Sequence, residues 1–435
     1  MLRQAHFSTM HSGGRAAGIA DAASQAPKQI YADNAIPGED AEVEILRRQR
    51  GFRQAVVHNV LKPSPDRVAP FCPHAHICGG CNWQHINYPA QLHWKRQILT
   101  EALVKYDIET PPIPQVIPSP LFHGYRNKSE YAFSFQPDPA FGFHPKDQPG
   151  SVFACETCSL QAPHVHHIAH KVFTSAIEMQ VEMLKALQIR TTTLGDTFCI
   201  IILSTAPVEK SIHHFFTHLQ QEIPQINGWF CMYESHFVHL GGNRKLQEKI
   251  DDIHFAYSPQ SFFQPNPLQA AALYRQVADY AGLTGHETVY DLYTGIGSIA
   301  CYVAAEAKQV IGIEGNRTAI EDAVENAKNN GLSNTRFLTG DILETYTPAF
   351  IDQHPKADAI ILDPPRSGTL IEIEKAILYA APSKIIYVSC NPVSLAWNLK
   401  QLCAGGYRVT AIQPFDMFPH THHVETVCLL ERSSF

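Results

Sequence analysis

At 435 residues the chain is too long for one ordinary hydrophobic core, so two or three domains are expected. Its 45% hydrophobic and 17% charged residues exclude a disordered or fibrous chain, and no apolar run approaches the ~18 residues that span a membrane. A net charge of −7 argues against a surface coated with nucleic acid, although local basic stripes can still grip RNA on an acidic protein. The opening MLRQAHFSTMHSGGR lacks the apolar stretch of a secretory signal. Eleven cysteines is an odd number, and Cys199, Cys231, Cys301 and Cys428 sit singly in apolar runs, the usage of a reducing cytoplasm.

Residues 1–64 read as a small β-rich barrel. Gly13-Gly14 and Pro37-Gly38 punctuate short strands at Gln29–Tyr31, Ala41–Leu46 and Arg53–Val60. Arg47, Arg48, Arg50 and Arg53 cluster around Gly51, a basic hairpin of the kind that grips nucleic-acid phosphates; alone, such a cluster reads equally as a solvated face. A proline-rich linker, PSPDRVAPFCP, then leads into Cys72-x5-Cys78-Gly-Gly-Cys81. Three thiols so close form half of a metal or iron–sulfur site, with Cys158 of ACETCSL the first candidate for a fourth ligand, Cys155 the second, and zinc the rival occupant. The stretch Gln91–Val104 has helical character with Lys95 and Arg96 on its polar face.

Residues 65–255 form a central α+β domain. Arg126 and Lys128 precede a strand, EYAFSF, and are placed to meet phosphates. The tract His164, His166, His167 and His170 is read as packed or solvated rather than metal-binding. From Ser258 onward strands and helices alternate: SFFQPN and an Ala-rich helix, strands at Thr288–Tyr293, Gln309–Glu314, Asn334–Leu338, Ala357–Asp363 and Lys384–Ser389, then two closing strands at Tyr407–Ile412 and Val424–Leu430. That pattern predicts a mostly parallel, Rossmann-like sheet covered on both faces over residues 256–435.

Three motifs carry chemistry to one edge of that sheet, where open α/β folds bind ligands. Asp291-Leu-Tyr-Thr-Gly-Ile-Gly-Ser-Ile-Ala300 ends the first strand, with Glu314 about twenty residues on, a spacing that also suits a dinucleotide. A nicotinamide-dependent oxidoreductase with an iron–sulfur relay is therefore a competitor. Asp291, however, places a carboxylate at the strand end, better suited to a cationic ligand. Asp363-Pro-Pro-Arg366 ends the fourth strand, and Lys384–Ser389 delivers Cys390 to a helix capped by Asn391 and opened by Pro392. A cysteine between a strand end and a helix N-terminus sits where the dipole favours a thiolate. His422-His423-Val424-Glu425 opens the last strand, where its glutamate can face Cys390. Cysteine and carboxylate together suit methylation at carbon 5 of a pyrimidine: a thiolate adds to carbon 6, and a base later removes the carbon-5 proton.

Taken together, SFFQPN, DLYTGIGS, DPPRSG, SCNPVSLAWNL, HHVE and CPHAHICGGC resemble the RNA uracil-5 methyltransferases, most closely the iron–sulfur branch that acts on 23S rRNA. The resemblance implies a class I, S-adenosylmethionine-dependent methyltransferase domain, an N-terminal TRAM/OB-like barrel and a central iron–sulfur domain. It implies Cys390 as nucleophile and Glu425 as base, with Gln264, Tyr293, Ser298, Glu314, Asp341 and Asp363 lining the methyl-donor and uracil pocket. By the same resemblance, Cys72, Cys78, Cys81 and Cys158 hold a [4Fe–4S] cluster; because the target uridine must leave its stack to reach the pocket, Phe263 is a candidate to hold the flipped base by stacking. Thr294 stands where many members carry cysteine, a change expected to alter loop packing rather than chemistry. The expected partner is RNA, 23S rRNA or alternatively the T-loop uridine of tRNA, and the expected state a cytoplasmic monomer.

Overall fold

A computed structural model describes residues 2–20, 28–49, 52–205 and 209–433. Five strands, β1 (Leu2–Met10), β2 (Ala16–Ala20), β3 (Lys28–Ala32), β4 (Asp40–Gln49) and β5 (Phe52–Lys62), close into a barrel in the order β1-β2-β3-β5-β4. It is OB-like: β3 and β5 run parallel and the remaining pairs antiparallel. Alanines 5, 16, 20, 32 and 41 keep its interior narrow enough for Phe7, Met10 and Ile30 to fill. Arg47 and Arg48 belong to β4, but their side chains, and Arg50 and Gly51 entirely, lie outside the described residues.

The barrel is plugged from the cysteine segment. Trp83 is fully buried against the barrel core, and its indole N–H donates to the Gly14 carbonyl (2.9 Å). Gly14 sits at φ +78°, and a Cβ there would lie 2.6 Å from both Asn82 and His422, so this turn admits only glycine. Helix α1 (Tyr88–Lys105) follows, capped by Asn87, whose side chain accepts from the Ala90 amide.

The central sheet contains β6 (Lys128–Ser134), β7 (Ala140–Phe143), β8 (Phe153–Ala154), β9 (Leu184–Thr191), β10 (Thr197–Leu203), β11 (Gly228–Tyr233) and β12 (His236–Gly242), in the order β12-β11-β10-β9-β6-β7-β8. Helices α2 (Pro163–Glu178) and α3 (Glu209–Glu222) share its core. The histidine tract lies on α2, where His166 packs its ring against Phe141 (5.3 Å) and Tyr131 (6.0 Å).

A hairpin, β13 (Leu246–Ile250) and β14 (Ile253–Tyr257), leads into α4 (Pro267–Ala281). Then come β15 (Thr288–Leu292), α5 (Ser298–Ala304), β16 (Gln309–Glu314), α6 (Arg317–Asn329), β17 (Thr335–Thr339), α7 (Ile342–Thr345), α8 (Pro348–Gln353), β18 (Ala359–Leu362), α9 (Ile371–Ala380), β19 (Lys384–Ser389), α10 (Pro392–Ala404), β20 (Tyr407–Phe415) and β21 (Glu425–Arg432). The sheet order is β17-β16-β15-β18-β19-β21-β20, parallel except for β21, which lies antiparallel to both neighbours. The order reverses between β15 and β18, and the crevice above that point is where this architecture takes ligands. Among the described residues, no helix is long and apolar enough to cross a membrane.

One side chain departs from the sequence reading. Lys95 does not line a polar face of α1. It is fully buried, and its Nζ donates to Asp416 Oδ1 (2.5 Å) and to the Phe418 carbonyl (3.0 Å). A lysine in a helical pattern reads as solvated until its partner is known, and this partner stands 321 residues away.

Candidate active site

A cavity of about 790 Å³ opens over the carboxyl ends of β15, β18 and β19. Its lining brings together Gln264, Tyr293, Ser298, Glu314, Asp363, Cys390 and Glu425, all anticipated from the motifs. Asp341 is not in the lining. It caps α7 by accepting from the Leu343 amide (2.8 Å), close enough to Tyr293 for its charge to help raise that phenol. Tyr293 itself adopts φ +68°, a left-handed conformation rare for a non-glycine residue, of the kind found at binding sites.

The glycine loop is organised from within. Asp291 is buried and accepts from Thr294 Oγ1 (2.5 Å) and the Ala300 amide (3.1 Å), while burial pushes its carboxyl up to about 7. Its carboxylate therefore braces the loop rather than facing a cationic ligand, which corrects the sequence expectation. Thr294 supplies one of those two donors and also lines the cavity. Glu314, at the end of β16, accepts from the Gly295 amide (3.2 Å) through Oε2 and from the Asn316 amide (2.8 Å) through Oε1. At Gly297 (φ +74°) a Cβ would press to 3.0 Å on Ala323 and Phe337, so the loop can close on α6 only with glycine there.

The SFFQPN segment is fixed at both ends. Ser261 Oγ donates to Asp322 Oδ2 (2.6 Å), and Asn266 Nδ2 donates to Ser119 Oγ (2.9 Å) and the Met417 carbonyl (3.3 Å). Between them, Phe263 is 4% exposed and stacks on Tyr257 with centroids 4.9 Å apart and planes 8° apart. One of its faces is thus already occupied. Phe262, 68% exposed at the cavity, is the ring with open faces. Phe263 lines the cavity as well, with one face on Tyr257.

Cys390 and Glu425 meet through strand register. β19 and β21 pair antiparallel as far as Ser389 opposite Thr426, which leaves Cys390 and Glu425 as the next residues at that end, near enough for the Glu425 charge to act on the thiol. Asn391 caps α10 by accepting from the Val393 amide (3.1 Å), and its Nδ2 donates to the Arg366 carbonyl (3.0 Å). The DPPR turn is thereby latched to the cysteine turn.

The electrostatics run against the dipole argument. Burial first, then the charges of Glu425 and Asp363, push the Cys390 thiol up to about 12, with Arg366 opposing. Burial and Asp291 raise Asp363 to about 7; burial and Asp363 hold Glu425 well above the usual carboxylate range. The expectation of a standing thiolate is corrected to a protonated thiol among acids. Arg366 Nη1 reaches His423 Nε2 at 3.5 Å; because guanidinium only donates, that ring nitrogen accepts. Burial and then Arg366 bring His423 down to about 4, so it stays neutral.

The loop between β20 and β21, which delivers Glu425, is held from outside the sheet. Besides the Lys95 contacts, the His420 amide donates to Gln91 Oε1 (2.9 Å), the Trp83 amide to the His420 carbonyl (3.0 Å) and Tyr125 Oη to the Pro419 carbonyl (3.4 Å). Asn82 Nδ2 lies 2.8 Å from His422 Nδ1. None of these partners was legible as a site residue; Tyr125 lines the cavity itself, and the others act through the loop.

A second cavity of about 240 Å³ is lined by Cys72, Cys78, Cys81, Cys155 and Cys158. Arg126 and Gly80 line both cavities, so the two are neighbours. Among the described residues, no three His, Cys, Asp or Glu side chains converge tightly enough to hold a single metal ion.

Residues 87–433 match the family described as tRNA (uracil-5-)-methyltransferase. The chain belongs to this family. An uncharacterized RNA methyltransferase of Porphyromonas gingivalis is 36% identical over 93% of this chain and 96% of its own. Its counterpart in Bacteroides thetaiotaomicron is 37% identical over 92% and 96%. The crystal structure of the Pyrococcus abyssi tRNA (uracil-54, C5)-methyltransferase in complex with S-adenosyl-L-homocysteine is similar with a TM-score of 0.76 at 25% identity, over 98% of this chain and 100% of that one. Family membership settles the class of reaction as methyl transfer to carbon 5 of uracil in RNA, and the hydride-transfer alternative falls away.

Proposed function

We propose that this S-adenosylmethionine-dependent RNA (uracil-5-)-methyltransferase works through a covalent adduct between Cys390 and carbon 6 of the target uracil, with Glu425 removing the carbon-5 proton. The supporting observation is that Cys390, Glu425 and Asp363 line one cavity, with Cys390 and Glu425 one step beyond the Ser389–Thr426 pair of β19 and β21. The thiol is protonated in the free enzyme. A sulfonium placed beside Asp363, Glu425 and Cys390 favours the ionised form of each. The thiol proton passes to Asp363 as sulfur adds to carbon 6, which leaves Glu425 ionised for the later step. The resulting enolate takes the methyl group from sulfur at carbon 5, releasing S-adenosylhomocysteine. Glu425 then takes the carbon-5 proton, the carbon–sulfur bond breaks, and Cys390 leaves as thiolate. Glu314 at the end of β16 accepts from the donor's ribose hydroxyls, Tyr293, Ser298 and Gln264 shape its pocket, Asp341 meets the adenine edge, and Phe262 stacks the flipped uracil.

The five thiols that line one cavity offer the donor set of an iron–sulfur cluster. The sulfurs of Cys78 and Cys158 accept backbone N–H groups from Gly80 and Leu160, whereas Cys155 spends its S–H on the Thr157 carbonyl (3.2 Å). Cys72, Cys78, Cys81 and Cys158 are therefore the proposed [4Fe–4S] ligands. The cluster would supply cross-linking to the segment that grips the Glu425 loop, and no chemistry at the uracil. The barrel is a TRAM-like RNA-binding module, with domain limits near residues 64 and 255, in a cytoplasmic monomer.

The proposed substrate is 23S rRNA, on the resemblance of the motifs. The likeness to the Pyrococcus abyssi enzyme favours a second reading, the T-loop uridine of tRNA. Radiolabelled methyl transfer to unmodified 23S rRNA and to tRNA transcript separates the two. Cys390→Ala should give no turnover and no adduct, while Glu425→Gln should accumulate methylated RNA in a denaturation-resistant band. An adduct formed by Cys390→Ala, or near-normal turnover of Glu425→Gln, would overturn the mechanism.

A further inference from the structure

The linker and the turn before β6 expose an unusual set of rings. Phe71 (40% exposed) and Phe122 (43%) lie at the surface with His123 and Leu121. The rings form a chain: Tyr88 to Phe122 at 4.8 Å, Phe122 to His123 at 5.9 Å, His123 to Phe71 at 4.5 Å, and Phe71 to His420 at 4.8 Å. His420 is the fixed end. Its Nε2 lies 3.1 Å from the Phe122 carbonyl, which can only accept, so the proton sits on Nε2 and Nδ1 accepts from Gln91 Nε2 (3.3 Å).

The patch is continuous with the catalytic cavity. The strip that carries Phe122 and His123 runs on into Tyr125 and Arg126, which line that cavity, and the loop carrying His420 runs on into Thr421 and His423, which also line it. A uridine can enter the cavity only after leaving its stack, so the nucleotides beside it must be held splayed. Exposed phenylalanine and histidine faces are what single-stranded RNA stacks upon. We propose that Phe71, Phe122 and His123 form a stacking platform for the unpaired nucleotides flanking the target uridine. Arg126, at the boundary, meets the phosphate between platform and cavity. This rests on the RNA-methyltransferase reading and adds to it a place for the neighbouring bases.

The test uses the full-length protein and a Phe71→Ala/Phe122→Ala double variant, whose replaced rings are half-exposed and outside the main cores. Binding is read by fluorescence anisotropy with a single-stranded oligouridylate and with whichever of 23S rRNA or tRNA transcript the wild type methylates. Loss of a single base stack should weaken RNA binding roughly 5- to 150-fold, and loss of two by more. S-adenosylmethionine affinity and melting temperature should stay at wild-type values. The slope of log affinity against log salt should also stay, because stacking releases no counterions. Phe71→Trp/Phe122→Tyr should recover binding. RNA affinity within twofold of wild type for the double alanine variant would overturn the platform, as would a loss of S-adenosylmethionine binding in parallel. Wild-type protein that methylates neither RNA would instead defeat the functional reading, which separates the two failures.

Discussion

Replacing Lys95 by methionine should be among the most disruptive single changes outside the catalytic residues. Both Lys95 and Asp416 have side chains with no solvent exposure, and their 2.5 Å contact joins α1 to the first residue after β20. Methionine fills the same volume but leaves Asp416 charged and without its cation, since Asp416 Oδ2 already has no hydrogen-bond partner. Breaking a buried pair from one side costs about 3–5 kcal/mol, because a buried charge is left uncompensated. At about 2–4 °C per kcal/mol for a cooperative unit of 150–250 residues, the apparent melting temperature should fall by roughly 6–20 °C. The damage should also reach catalysis, as Lys95 holds the Phe418 carbonyl of the loop that carries Glu425. Adding Asp416→Asn removes the stranded charge and should restore much of the stability, in line with the general tolerance of neutral replacements for buried ion pairs. Differential scanning fluorimetry of wild type, Lys95→Met and Lys95→Met/Asp416→Asn decides the matter. A single variant melting within 2 °C of wild type, or a double variant no better than the single, would refute the reasoning.

Asp291 should contribute a fall in stability as pH rises from about 4 to about 7, because it keeps its proton in the fold up to about 7 while the unfolded chain releases it near 3.8; His85, His420 and His423, brought down to about 4 by burial, contribute the opposite slope. Asp291→Asn should therefore make the slope of melting temperature against pH more positive between those values; an unchanged slope would mean that Asp291 does not contribute. Protein purified without oxygen should be brown and hold iron; Cys158→Ser should lose the iron while Cys155→Ser keeps it, and the reverse pattern would exchange the two ligands.

How much of this was legible depended on how local the governing physics is. In the C-terminal half each strand is an apolar β-branched run followed by a helical repeat, so the alternation from Thr288 to Ser389 matches β15 to β19 almost residue for residue. Asn391 and Pro392 announce their helix through two adjacent residues, and Asn391 caps it as expected. In the barrel, by contrast, β1 and β2 were missed. β2 is AAGIA, whose small residues carry no strand preference and are chosen for the narrow interior they share with β1. β8 has only two residues and exists because β7 offers it an edge. The central sheet was legible only as a mixture, because its order brings β6 beside β9 across an intervening helix and hairpin.

The site divides along the same line. The resemblance carried by the motifs pointed to Gln264, Glu314, Asp363, Cys390 and Glu425, which line one cavity because each stands at a strand end or turn that its own neighbours create. What no motif contains is the relation between those ends. Phe262 and Phe263 are the same residue in sequence and both line the cavity; only the packing of Tyr257 against one of them decides which keeps both faces open. The state of Cys390 is likewise a collective property. A helix N-terminus pulls towards thiolate, but burial beside carboxyl groups from β18 and β21 pulls further the other way. Those two groups lie on other strands, so a reading confined to the strand, Cys390 and its helix sees only the weaker term. A thiol kept protonated until a cationic methyl donor arrives is also a thiol protected from adventitious alkylation and oxidation, which require the thiolate. The same carboxyl groups that oppose the thiolate in the empty cavity are therefore consistent with chemistry that begins only when both substrates are present.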